Sequence, residues 1–133
     1  MNIDLHTDVA EQVRLLVAEA LALSPEKVRL DSFLVDELGA EYLDYLDIVF
    51  RLERAFDIQI TRGEMERAAR GDMSEEVFAP AGVISEAGLA RLRELMPEAA
   101  HRIVPGLRPI QILGLFTVQT FANMVLAKGQ EPA

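Results

Sequence analysis

The sequence contains no cysteine and no tryptophan, and aromatic residues make up only 6% of it. The absence of cysteine excludes disulfide bonds, thiolate metal ligands and a cysteine nucleophile. Because half of the residues are hydrophobic but few are aromatic, a core has to be built from Leu, Val, Ile, Ala and Met. This composition favours a bundle of helices.

Long uninterrupted hydrophobic runs are also missing. The most apolar stretch, residues 110–127, is broken by polar side chains such as Gln111, Thr117 and Asn123, which makes it a poor transmembrane candidate. The first residues, MNIDLHTD, lack the basic segment and apolar core of a signal peptide. We expect a cytoplasmic protein with no transmembrane segment.

Signatures of catalytic and metal sites are absent from the pattern of residues. The two histidines, His6 and His101, do not have the spacing of a metal-ligating pair. No glycine-rich phosphate loop and no serine elbow is present. The sequence therefore predicts no metal site, no catalytic residue and no enzymatic activity.

Basic residues are too few to balance the acidic ones, and the formal net charge is −9. The imbalance belongs to the first half, because residues 1–60 hold 13 acids and 5 bases whereas residues 61–133 hold 9 acids and 8 bases. Such a chain should repel nucleic acid and anionic membrane surfaces and be steered toward basic partners. The alternative is that the acidic surface serves solubility alone.

The length of 133 residues and the mean hydropathy of +0.16 predict one compact, monomeric domain. Thr7 or Asp8 can cap a first helix that ends near residue 23. Ser24 followed by proline predicts a short helical turn. A loop over residues 29–40 then leads to the second helix.

The second half is also predicted to be helical. One helix is expected over residues 62–70, ended by a glycine. Ser74 and Ser85 are predicted to cap two further helices. Residues 110–128 are predicted to form one terminal helix or two, because Gly114 and Thr117 both permit a break.

The second helix, residues 41–56, is both acidic and apolar. Its start is rich in carboxylates, which the helix dipole favours there: Asp36, Glu37, Glu41, Asp44 and Asp47. Apolar residues recur at spacings of three and four and predict a buried stripe: Leu43, Leu46, Val49, Phe50, Leu52 and Phe56.

The run from Asp36 to Asp44, DELGAEYLD, resembles the signature of acyl carrier proteins. That signature is an acidic pair, Leu-Gly, a small residue and then Asp-Ser-Leu-Asp. The resemblance covers residues 8–61 and returns at 117–128, so residues 62–116 form an insertion. It implies an all-α, four-helix carrier-protein-like bundle, a single domain over 1–133, with a helical insertion before the last helix. A narrower pattern is similar to the specialised carriers of very long acyl chains for lipid A. It consists of residues 43–50 in the second helix and of Gly71, Met73, Ser74, Glu76 and Phe78 in the insertion.

In that family the Ser of the signature carries 4'-phosphopantetheine, and the aligned position here is Tyr42. The phenol oxygen lies at the far end of a rigid ring, so a transferase that places a Ser hydroxyl for attack would not find it in position. We therefore expect no phosphopantetheine on this sequence as it stands. Whether Tyr42 is natural to the lineage or a substitution stays open.

The resemblance also implies two surfaces. Partner docking is expected at Glu37, Glu41, Asp44 and Asp47, facing basic surfaces of a synthase, an acyltransferase or a phosphopantetheinyl transferase. The candidates for an acyl pocket inside the bundle are Leu46, Val49, Phe50, Ile58 and Phe121.

Three functions are compatible with this pattern. The first is an acyl carrier or carrier-like protein of fatty acid or lipid biosynthesis that docks through its second helix. The second is a non-carrying interaction or regulatory subunit that uses the carrier surface to occupy a partner. The third is a protein that binds lipid non-covalently inside the bundle.

Overall fold

A computed structural model describes residues 5–61 and 69–129, and in them every regular element is helical. Five α-helices are α1 (Leu5–Ala20), α2 (Tyr42–Phe56), α3 (Glu75–Phe78), α4 (Glu86–Leu95) and α5 (Val118–Gly129). Short 3-10 helices cover Pro25–Lys27, Pro80–Gly82, Pro97–Arg102 and Pro109–Leu115. The all-α fold class is confirmed.

The residues group into two compact units. The first comprises Met1–Gln59 with Thr117–Ala133, and the second comprises Ile60–Phe116. A single domain over the whole chain stays a prediction.

In the first unit α1 packs against both α2 and α5. The contact surfaces are aliphatic, because Val13 and Val17 of α1, Ile48 of α2 and Val118 of α5 are fully buried. Burying such side chains contributes about 1.5–3 kcal/mol each. The Arg51 guanidinium of α2 also reaches Glu19 of α1 at 3.2 Å.

The loop between α1 and α2 is held by hydrogen bonds to α1 and by a bridge to the residue before α5. Arg14 of α1 donates to the carbonyl oxygens of Pro25 and Val28, at 2.6 and 3.0 Å. Further along, Phe33 forms an isolated antiparallel bridge with Thr117. A long loop without regular structure is thereby fixed against the start of α5.

The last helical region is divided in two, with its break at Thr117, one of the two positions where the sequence permits a break. Residues 110–128 are not continuous: the 3-10 helix ends at Leu115 and α5 begins at Val118. Thr117 and Thr120 cap the new start reciprocally, because the amide of each donates to the hydroxyl of the other at 3.0 and 3.2 Å. The bridge to Phe33 requires an extended backbone here, which interrupts the helix.

The second unit is built on local caps and one buried glycine. The hydroxyls of Ser74 and Ser85 accept hydrogen bonds from the amides of Val77 and Gly88, so both predicted caps are confirmed. Gly88 lies against Phe78, where a larger side chain would not fit.

One predicted helix start differs in the structure, and one predicted helix lies mostly outside the described residues. Helix α1 begins at Leu5, and Asp8 is not its cap: its carboxylate lies within the first turns and accepts from Gln12 at 2.8 Å. Most of the helix predicted over residues 62–70 lies outside the described residues. Positions 69 and 70 are helical, and Gly71 follows with φ +63°.

Candidate functional site

The candidate site is the start of α2, where the chain turns from the long loop into the helix. Gly39 has φ +72°, a left-handed conformation that glycine adopts without a Cβ penalty. The amide of Ala40 donates to the Leu34 carbonyl at 2.8 Å and closes the turn. Tyr42 is then the first helical residue, and its side chain is 52% exposed.

The acidic residues at this helix start have structural partners inside the protein. The Glu41 amide donates to Asp44 Oδ2 at 2.8 Å, and the Phe33 amide donates to Glu37 Oε1 at 3.1 Å. Asp47 forms an ion pair with Arg51 at 3.2 Å. A carboxylate offers about four lone-pair sites, so these contacts leave acceptor capacity on each group.

The same carboxylates remain accessible. Glu37 and Glu41 are exposed, and Asp44 and Asp47 are half-buried. Local hydrogen bonding and a surface charge therefore coexist at α2. The spacing of Asp44 three residues after Glu41 could have predicted the capping contact, because it is that of a capping box.

The buried face of α2 agrees with the periodicity prediction at Leu52 but not at Leu43, Leu46 or Phe50. Its buried residues are Tyr45, Ile48 and Leu52. Leu43, Leu46 and Phe50, which we call the exposed apolar stripe, are 72%, 44% and 66% exposed. Both sets have the spacing i, i+3, i+7, and ten of the 15 residues in α2 are apolar or aromatic, so spacing could not select the inward face.

The residues proposed for an acyl pocket differ widely in their burial. Leu46 and Phe50 belong to the exposed apolar stripe, Val49 and Ile58 are half-buried, and Phe121 is fully buried. The structure does not bring these five together on one inner surface.

The interior next to Phe121 is occupied by Tyr45, a residue that the sequence analysis did not select. The two rings meet edge to face with centroids 5.9 Å apart, a favourable aromatic geometry. Burial raises the pKa of the Tyr45 phenol, and the negative charge of Asp36 raises it further. Tyr45 is therefore a neutral core residue.

Within the described part of the chain, no group of three His, Cys, Asp or Glu side chains could hold a metal ion. No helix in residues 5–61 or 69–129 is both long enough and apolar enough to span a bilayer.

Curated proteins similar to this chain are acyl carrier proteins. The acyl carrier protein of Campylobacter hominis is 40% identical over 60 residues, which are 45% of this chain and 76% of that protein. That of Campylobacter concisus is 39% identical over 59 residues, 44% of this chain and 77% of the relative. No family model matches the chain, and no solved structure matches it.

The similarity covers most of each relative but less than half of this chain. It agrees with the signature around Tyr42 and with the all-α architecture. On this identity and coverage, the chain belongs to the acyl carrier protein family.

Proposed function

We propose that this protein is a carrier-like component of fatty acid or lipid biosynthesis that docks on partner enzymes through α2 and does not hold phosphopantetheine on Tyr42. It has no catalytic activity of its own in this proposal. The observation that carries it is the exposed apolar stripe lying beside carboxylates on one helix.

Exposed aliphatic and aromatic side chains at this spacing are costly to leave in water unless a partner covers them. Leu43 and Phe50 are more than half exposed, and Glu41 and Asp47 lie on the same helix or at its start. The matching surface is an apolar patch with Arg or Lys around it. Basic enzymes of fatty acid or lipid biosynthesis are the partners that fit the family.

The side chain at position 42 is chemically unsuited to the attachment of phosphopantetheine, here called the arm. The side chain at position 42 ends in a phenol whose oxygen lies at the far end of a rigid ring, beyond the reach of a Ser hydroxyl. At that start, the Glu41 amide already donates to Asp44. These observations support a role for Tyr42 in surface contact and not in the transfer of an acyl group.

Measurement of the intact mass tests whether the protein can receive the phosphopantetheine arm. The protein and the Tyr42→Ser variant would each be incubated with coenzyme A and a broad-specificity phosphopantetheinyl transferase. We expect the mass of the arm to be gained by the variant alone. Gain by the unaltered protein would contradict the proposal, and peptide mapping would then locate the hydroxyl used.

Capture on an immobilised ketosynthase or acyltransferase at low salt tests docking. Glu41→Lys should weaken capture by reversing a charge, and Phe50→Ser should weaken it by removing apolar contact. Asp31→Lys, in an exposed loop position, and Val77→Ser, on α3, make the same types of change elsewhere. Equal capture of all four variants and the unaltered protein would refute docking through α2.

The non-carrying interaction subunit is the second candidate, and the presence of Tyr42 favours it. It would be supported if Tyr42→Ser also failed to gain the arm while capture stayed dependent on Phe50. Non-covalent lipid binding predicts instead that fatty acids raise the melting temperature as occupancy rises. A melting temperature that did not change with fatty acid concentration would refute non-covalent lipid binding.

A further inference from the structure

The second unit contains an exposed surface of opposite charge to α2. Within the second unit no acidic residue follows Glu98, whereas Arg102 and Arg108 lie after it. Most of the surplus negative charge is in residues 1–60. The segment from Val104 to Ile110, which we call the 104–110 loop, is therefore cationic within an acidic protein.

Two tight turns shape the 104–110 loop. The Leu107 amide donates to the Val104 carbonyl at 3.2 Å, and the Gln111 amide donates to the Arg108 carbonyl at 2.9 Å. Each such bond brings residues three apart to within ~7 Å. Gly106, with φ +97°, permits the first turn.

The loop is anchored from below by buried groups. Ile103 and Leu107 are 1% and 9% exposed, and the Ile84 amide donates to the Leu107 carbonyl at 2.9 Å. Arg93 donates to the Ile103 carbonyl through Nε at 3.1 Å and through Nη2 at 2.8 Å. With these anchors inside, the residues between them face water.

The outward side combines aliphatic side chains with one arginine. Ile110 is 83% exposed and Val104 is 50% exposed, and Pro105, Arg108 and Pro109 are exposed as well. Among the described residues, the Arg108 side chain has no ion-pair partner. A surface of this kind matches an occupant that is apolar underneath and anionic around the contact.

We propose that the 104–110 loop binds reversibly to an anionic lipid surface, with Ile110 and Val104 entering the interface and Arg108 contacting lipid phosphate. A lipid surface fits better than a protein because the loop offers no exposed aromatic side chain and few hydrogen-bonding groups. Its nearest amide side chain, Gln111, already accepts from the Arg108 amide at 2.9 Å. Protein hot spots are usually richer in Trp, Tyr and Arg.

The net charge of −9 does not forbid this contact. At physiological ionic strength charges are screened beyond ~8 Å. The binding of the 104–110 loop to lipid is therefore determined by the side chains of the loop itself and not by distant carboxylates. Interfacial binding by a short apolar segment with basic residues is weak and reversible. This inference is independent of docking through α2.

Vesicle co-sedimentation tests the proposal with the full chain. The protein would be spun with phosphatidylcholine vesicles and with phosphatidylcholine vesicles containing phosphatidylglycerol, at physiological salt. We expect sedimentation with the anionic vesicles and little with the neutral ones. Ile110→Asp should lower the partition coefficient about tenfold or more, and Arg108→Gln about fivefold.

Val77→Asp is the matched control, because Val77 is 54% exposed but lies beside Glu75 and Glu76 on α3. It should sediment like the unaltered protein. An unchanged melting temperature would show that the variants are folded. The proposal is overturned if the unaltered protein stays in the supernatant, if Val77→Asp loses as much binding as Ile110→Asp, or if the protein binds polyglutamate but not the anionic vesicles.

Discussion

Gly88 of α4 shows how one residue limits the packing of the second unit. A Cβ at this position would lie 2.7 Å from Ile84 Cγ2 and 2.9 Å from both Phe78 Cδ2 and the Phe78 carbonyl oxygen. The backbone oxygen cannot move aside as a flexible side chain can. The absent side chain therefore lets α4 approach the end of α3.

Gly88→Ala should lower the free energy of unfolding by about 1–3 kcal/mol, the usual cost of overpacking. Urea denaturation followed by circular dichroism would measure it. Gly114→Ala is the control, because a Cβ there meets nothing within 4 Å, and it should change stability little. Equal effects of the two substitutions would contradict the packing argument.

Ionisation of Tyr45 should make the free energy of unfolding depend on pH in the alkaline range. Its pKa in the folded state is raised by burial and by Asp36, whereas an unfolded tyrosine ionises near pH ~10. Above that pH the unfolded state binds fewer protons than the folded state, so the free energy of unfolding must fall as pH rises.

We expect a fall that approaches about 1.4 kcal/mol per pH unit above pH ~10 from this residue. Urea unfolding between pH 8 and 11 would measure it, and Tyr45→Phe should flatten the curve relative to the unaltered protein. Tyr42→Phe removes an exposed phenol instead and should keep the slope. The same slope in the protein and in Tyr45→Phe would contradict this assignment.

At the scale of elements, α2 is stabilised on one side and left open on the other. Tyr45, Ile48 and Leu52 anchor it in the core, while the exposed apolar stripe has no cover in the described structure. The long loop before it depends on contacts made by α1, of which Arg14 is the clearest. Its guanidinium donates hydrogen bonds to two carbonyl oxygens that lie three residues apart.

Arg14→Gln should lower the free energy of unfolding, since charge-assisted hydrogen bonds to two loop carbonyls and the ion pair with Glu11 are lost. Thermal and urea denaturation would measure the loss. Arg29→Gln removes another guanidinium, one whose pairing with Asp31 is fully on the surface, and should cost at most about 0.5 kcal/mol. A larger effect at Arg29 than at Arg14 would refute the role of Arg14 in holding the loop.

For the whole molecule, the dominant feature is the uneven distribution of charge. A net charge of −9, most of it in residues 1–60, repels itself when the chain is compact. Salt screens this repulsion at distances beyond the Debye length.

The melting temperature at neutral pH should therefore rise between low ionic strength and physiological ionic strength. A gain of ~1 kcal/mol corresponds to about 3–6 °C for a chain of this size. Differential scanning calorimetry in sodium chloride and in choline chloride would test this, because screening predicts the same rise in both salts. A flat or falling melting temperature would show that repulsion does not limit stability.

The sequence by itself determined the features that depend on neighbouring residues. The caps at Ser74 and Ser85 each join a hydroxyl to an amide three positions later. The turn after Ser24 is closed by the Lys27 amide, which donates to the Ser24 carbonyl at 2.9 Å. The all-α class and the carrier family also follow from local composition and from the signature around Tyr42. Such short-range interactions are the same in any surroundings, so a pattern suffices to predict them.

Only the tertiary structure decided what depends on distant contacts. Because ten of its 15 residues are apolar, α2 has more than one face that could be buried. Its packing against α1 determined that the buried face is the one with Tyr45, Ile48 and Leu52. The bridge between Phe33 and Thr117, 84 positions apart in the chain, decided that residues 110–128 form two helical segments and not one. Local periodicity carries no information about which neighbour a surface meets, and the exposed apolar stripe of α2 therefore emerged only from the folded protein.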